Sequence, residues 1–199
     1  MTAPAVTVAS PTEPRRSYST AWWGMAIVIT TEAMVFVVLL AAYFYLRASA
    51  KAWPLDGIEP PDLALALPAS FVLWGSSLPI FIAEMAIKRG DIRAFRRAVA
   101  VSFVLGAAFL VTTLIDFRDL HFGWRDDAYG SLFYTIVGLH AIHVFVGLAM
   151  SAVVQAKAWL GRYDRGAHAS AEVFALYWHF VDAVWLVVFP ALFVSPHLR

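Results

Sequence analysis

Residues 171–190 read AEVFALYWHFVDAVWLVVFP. The run is apolar, and about 20 helical residues cross a bilayer core. Yet it carries Glu172, His179 and Asp182. These fall at i, i+7 and i+10 and so share one helical face. Ionisable groups inside a membrane are costly and need partners or a task. The rest of the chain has to supply one or the other.

Composition places that stretch in its setting. Hydrophobic residues are 61% of the 199 and charged residues 15%. A water-soluble domain runs near roughly 45–50% and 25%. The excess reads as an all-α, polytopic membrane helix bundle. A net charge of +1 gives no basis for a nucleic-acid partner. The chain has no cysteine, which excludes disulfides, iron–sulfur clusters and thiolate metal sites.

Five segments reach spanning length: 21–46, 63–87, 95–115, 129–159 and 172–194. Residues 1–19, rich in Ala, Pro, Ser and Thr without apolar periodicity, read as a mobile tail before a single transmembrane domain over 20–199. Arg15 and Arg16 precede the first run as they would in a signal peptide. That run is longer than the 7–15 or so residues of a signal core and contains Glu32, so it reads as a retained helix.

Basic residues set the orientation. Lys88, Arg89, Arg93, Arg96 and Arg97 lie in the second connection, and Lys157, Arg162 and Arg165 in the fourth. The first and third hold Arg47, Lys51, Arg118 and Arg125, among the acids Asp56, Glu59, Asp62, Asp119, Asp126 and Asp127. The positive-inside rule puts the N-terminus in the cytoplasm and the C-terminus outside.

Within the spans, Glu32 stands deep in TTEAMVFVVLLAAYFYL. A lone carboxylate there should pair, protonate or meet a lipid headgroup. The fourth span carries GLHAIHVFVGL, in which His140, His143 and Gly147 share a face. Three membrane histidines, with His179, could bind copper, haem or zinc. Alternatively they bond across helices to Glu172, Asp182 or backbone carbonyls as an internal polar seam. No HxxxH or HxxE cluster completes a ligand set. Trp178 and Trp185, seven apart, offer a broad packing stripe. Ala98, Ser102 and Gly106 at spacing four permit close helix approach. Pro79 and Pro190 each remove a helical hydrogen bond. Glu84 and Lys88 at i, i+4 read as an interfacial ion pair.

Several of these stretches together resemble subunit III of the haem–copper oxidases, most closely the cytochrome c oxidase type. YWHFVDAVW over 177–185 is similar to the family signature, with Glu172 seven residues before His179. TEAMVF over 31–36 resembles an SEVMFF-like segment, and AAYFYLR over 41–47 resembles the family's continuation of that segment. YGSLFYTIVGLHAIHVFVGL over 129–148 resembles a YGSxFF…GFHGxHVxxG run. The likeness extends from Trp22 to Val194, in order, and is to the five-helix form of the family.

The resemblance implies a non-catalytic subunit of an aerobic respiratory oxidase in a bacterial cell membrane. It implies no cofactor in this chain, with haem and copper in partner subunits I and II, and cytochrome c as an indirect partner. It implies bound phospholipid in a V-shaped cleft, stabilisation of subunit I, and support for proton uptake. Glu32 corresponds to a glutamate at that cleft. Lys157, fourteen positions after His143, corresponds to a basic residue that contacts lipid phosphate. Three positions depart from the family pattern. QxxEY reads Thr113-Leu114-Ile115-Asp116-Phe117, Glu84 replaces a histidine, and Ala69 replaces an asparagine. A quinol oxidase subunit III, the nitric oxide reductase accessory branch and an independent histidine-rich metal or haem protein are the alternatives.

Overall fold

The computed structural model describes residues 19–55, 58–163 and 168–198. Five long helices account for most of them: α1 (Thr20–Ser49), α2 (Leu63–Lys88), α3 (Ile92–Asp119), α4 (Ala128–Trp159) and α5 (Ala169–Phe189). All five are long and apolar enough to cross a membrane, and the described residues include no strand. Of the tail read over 1–19, only Ser19 is among the described residues.

Side-chain caps start four of the helices. Ser19 accepts from the Trp22 N–H, Asp62 from Ala64, Asp91 from Ala94 and Asp127 from Gly130. Each oxygen satisfies an amide that the first helical turn leaves unpaired. These caps explain why α3 is longer than its apolar run. Asp91 starts it three residues before the expected span, and the polar stretch through Asp119 stays helical beyond it.

Two chain reversals use glycine in the left-handed region. Gly90 has φ +75° and Gly161 φ +68°. After them, Asp91 N–H bonds Ala86 O at 2.9 Å and Arg162 N–H bonds Lys157 O at 3.0 Å. This is the glycine-terminated helix end in which late carbonyls find donors. At the other end of α5, Pro190 has no N–H to offer. The chain widens into a π turn (Pro190–Val194) and then a 3-10 turn (Ser195–His197), rather than ending cleanly at 194.

Helices α2 to α5 pack as a ring, α2 on α3, α3 on α4, α4 on α5 and α5 on α2. α1 lies outside the ring against α4 and α5. Its fully buried anchors, Phe36 and Tyr43, are seven residues apart on one stripe. Most of its remaining apolar surface, including Ile27, Val35 and Val38, is exposed.

The centre of the ring is the α5 indole stripe. Trp178 is wedged between α3 and α4 at two glycines. A Cβ on Gly106 would stand 2.5 Å from Trp178 Cη2, and one on Gly147 2.9 Å from Cε3. In lipid, helix association rests on such close packing and on interhelical hydrogen bonds. Both are present here. Trp178 Nε1 donates to Ser76 Oγ and Trp185 Nε1 to Ser70 Oγ, each at 2.9 Å. The serines descend α2 as the tryptophans ascend α5, so the two bonds fix their antiparallel register.

Candidate functional site

The polar residues of the spans resolve into separate clusters on different helix pairs. The first joins α1 and α4. His143 Nδ1 donates to Leu139 O at 2.8 Å, one turn back on its own helix. A carbonyl only accepts, so this nitrogen carries hydrogen and Nε2 faces Glu32 Oε2, 3.2 Å away. That contact requires one more proton, held by the carboxyl or by the imidazole. The imidazole side chain is 9% exposed and the glutamate 39%. The pair is therefore anchored inside and open at its carboxyl end. Phe36 meets the His143 ring edge-on at 5.2 Å, and Tyr177 Oη donates to His143 O at 3.3 Å.

The second cluster joins α2 and α5. Ser77 Oγ donates to Asp182 Oδ2 and lies 3.4 Å from His179 Nδ1. His179 Nε2 is 3.9 Å from Glu84 Oε2. So Glu84 turns to His179 of the neighbouring helix, where the sequence spacing had suggested Lys88. Asp182 is buried, and its Oδ1 has no hydrogen-bond partner among the described residues.

His140 belongs to neither cluster. Its ring stacks on Trp185 with centroids 4.6 Å apart, and Phe36 and Phe109 close its sides. It is 1% exposed, and neither ring nitrogen meets a partner among the described residues.

The residues read as one polar seam are thus not contiguous. His143 turns to α1, His179 and Asp182 turn to α2, and His140 sits between them in an aromatic box. Glu172 stands in the first turn of α5, where a negative charge suits the helix dipole. No described residue pairs with its carboxylate. Among the described residues no three His, Asp or Glu side chains converge as metal ligands. Trp178, Trp185 and Gly147 occupy the packed centre described above.

Lys157 lies in the last turn of α4, fourteen residues beyond His143. At 3.6 residues per turn the two are about 40° apart around the helix and some 21 Å apart along it. Lys157 thus continues the α1-facing stripe toward the basic end. On α1, half-exposed Val28 and Val35 flank Glu32 one turn to either side.

Residues 17–195 match the family described as Cytochrome c oxidase subunit III. The chain belongs to that family. It is 31% identical over 172 residues to "Cytochrome c oxidase subunit 3" of Thermostichus vulcanus, covering 86% of this chain and 85% of the relative. To the protein of that name from Synechocystis sp. it is 32% identical over 170 residues, covering 84% and 72%. To "Probable cytochrome c oxidase subunit 3" of Nocardia farcinica it is 33% identical over 174 residues, covering 85% of each. As a subunit III family member with five spanning-capable helices, the chain is a multi-pass membrane protein.

The departures from the subunit III pattern now have places. Glu84 is the residue facing His179, so an acid–imidazole contact stands where a histidine is usual. Asp116 lines a small cavity beside Trp185, with Thr113 and Ala69 in its walls. All three unusual positions therefore lie along the α2 side of the ring. Ser70, Ser76 and Ser77 were the hidden members of these sites. Their signal, serine on the α2 face opposite an α5 stripe of Trp, His and Asp, is readable only once the helices are paired.

Proposed function

We propose that this chain is the non-catalytic subunit III of an aerobic respiratory cytochrome c oxidase of the aa3 or caa3 type, in a bacterial cell membrane. It binds oxidase subunits I and II, and through them serves electron delivery from cytochrome c. Haem and copper belong to those partners. The chain spans the membrane five times as one domain over 20–199, with its N-terminus in the cytoplasm and its C-terminus outside. Family membership over nearly the whole chain supports this reading.

Its task is to stabilise subunit I and hold phospholipid beside it, which sustains proton uptake during oxygen reduction. The observation that carries this is the Glu32–His143 pair. A half-exposed carboxyl on an outer helix is bound to a buried imidazole and flanked by exposed valines. That arrangement offers a headgroup or its water a polar contact and its acyl chains an apolar wall, with Lys157 on the same stripe for a phosphate.

Glu32→Ala and His143→Leu test it in the assembled complex. Both should leave assembly intact, lower the phospholipid that remains bound, and shorten the time over which turnover is sustained. Unchanged lipid content together with unchanged inactivation would remove the lipid role while leaving the subunit assignment standing.

A further inference from the structure

A second polar site lies at the basic end, between the start of α3 and the end of α4. Arg93, Arg96, Arg97, Ala100, Gln155 and Trp159 line a cavity of about 290 Å³ there. Arg96 is its built wall. Its guanidinium lies over the Trp159 ring, 4.6 Å from the centroid, and donates to Ala158 O. Gln155 Nε2 in turn donates to Arg96 O at 3.1 Å. Two polar atoms in this wall, Arg96 Nε and Gln155 Oε1, are buried without a partner among the described residues. A buried unpaired donor usually marks a missing partner. Arg93 and Arg97 are exposed and form no hydrogen bond or ion pair with a described residue. The nearby acid, Asp91, is already engaged by the Ala94 N–H.

Three guanidiniums around one cavity call for an anion with several acceptor oxygens, which is phosphate chemistry. The surroundings say what carries it. Trp159 is 70% exposed at the end of a spanning helix, where an indole marks the headgroup layer. From Arg97 the same face of α3 continues with exposed Val101, Val104 and Val111, an apolar track running into the bilayer. A soluble anion would have no use for that track.

We propose that this cavity binds the phosphate of an anionic phospholipid, its acyl chain lying along Val101 and Val104. The site is separate from Glu32 and Lys157. Gln155 lies about 120° around α4 from His143, on the side facing α3 rather than α1. Basic pockets between spanning helices suit such headgroups, each cation near the surface adding to the attraction.

The test is native mass spectrometry of the full-length chain in detergent with added phosphatidylglycerol or phosphatidylcholine. The wild-type chain should hold phosphatidylglycerol about tenfold more tightly at one site that Arg93→Gln/Arg97→Gln removes. The double variant should retain one anionic lipid fewer. Both side chains are exposed, so the fold is spared. Arg118→Gln, at the opposite end of α3, should retain the wild-type count. Equal binding of the two lipids, or an unchanged count in the double variant, would overturn the proposal. So would displacement of the lipid by inorganic phosphate at equal concentration, which would show a soluble-anion site only.

Discussion

Trp178 shows how much one residue decides here. Its six-membered ring rests where two helices have no side chain, so the substitution that matters is at the glycines. Gly106→Ala should lower stability by about 1–3 kcal/mol, the usual cost of overpacking a filled interior. Gly24→Ala is its control, because a Cβ there meets nothing within 4 Å. Thermal unfolding in detergent measures both, and equal midpoints would contradict the wedge. The hydroxyl partners can be tested the same way. A double-mutant cycle on Ser70→Ala and Trp185→Phe should give a coupling of about 0.6–1.7 kcal/mol, as such bonds do in a bilayer. At this scale the sequence was informative about residue types and poor about partners. Glu32, His143 and Asp182 stood out because charge in an apolar run is conspicuous. That Glu32 and His143 pair with each other is not legible before the helices are placed, and Ser77 and the Leu139 carbonyl, which meet Asp182 and His143, are ordinary anywhere in a chain.

Helix α5 is the element on which the other four converge, and its three faces do different work. Trp178 and Trp185 fill the ring, His179 and Asp182 turn to Ser77 and Glu84 of α2, and Tyr177 reaches the His143 carbonyl. The spacing put Glu172, His179 and Asp182 on one face and Trp178 and Trp185 on a packing stripe, and singled out no role for Tyr177. Consecutive positions 177, 178 and 179 turn by about 100° each and so meet different neighbours, while Asp182 lies about 40° from Trp178 and about 60° from His179, between the two. Asp182→Leu should therefore loosen α5 from α2 in particular, since it strands the Ser77 hydroxyl. Trypsin or hydrogen exchange resolved by helix would show it, with exchange rising in α2 and α5 before α1; a uniform rise would contradict it. The far end of α5 has its own clamp. Arg47 of α1 donates to Ser195 Oγ, to Ser195 O at 2.8 Å and to Leu198 O at 3.1 Å. Arg47→Gln should speed exchange over residues 195–198 while the ring stays protected, and protection unchanged at those residues would argue against the clamp. The starts of α1, α2 and α4 were legible to within a residue from hydropathy, whereas α3 starts three residues before its expected span because the polar turn capped by Asp91 carries no hydropathy signal. The turn after Pro190 was legible only as an interruption, because a missing N–H marks where a helix is disturbed without specifying the geometry of the next turn.

For the whole molecule, the number and order of spans followed from hydropathy, and the family from the ordered motifs. What the sequence withheld is the position of α1. Its apolar stretch resembles the others, yet it lies outside the ring and keeps most of that surface exposed. This asymmetry leaves the Glu32 side chain 39% exposed while the other helices close around Trp178. It also leaves the chain with an apolar flank suited to a larger assembly. Orientation is checked by reporter fusion: a reporter joined after residue 199 should be active outside the cytoplasm, and cytoplasmic activity would invert the topology.

In the proposed function this chain works beside a catalytic subunit that holds the haem and copper. Purification of the native complex through this chain, followed by a visible spectrum and subunit identification, tests it most directly. Oxidase subunits I and II should be recovered, with haem and copper in stoichiometric amounts held by those subunits. Recovery of the chain in a stable native complex that lacks a haem–copper partner would contradict it.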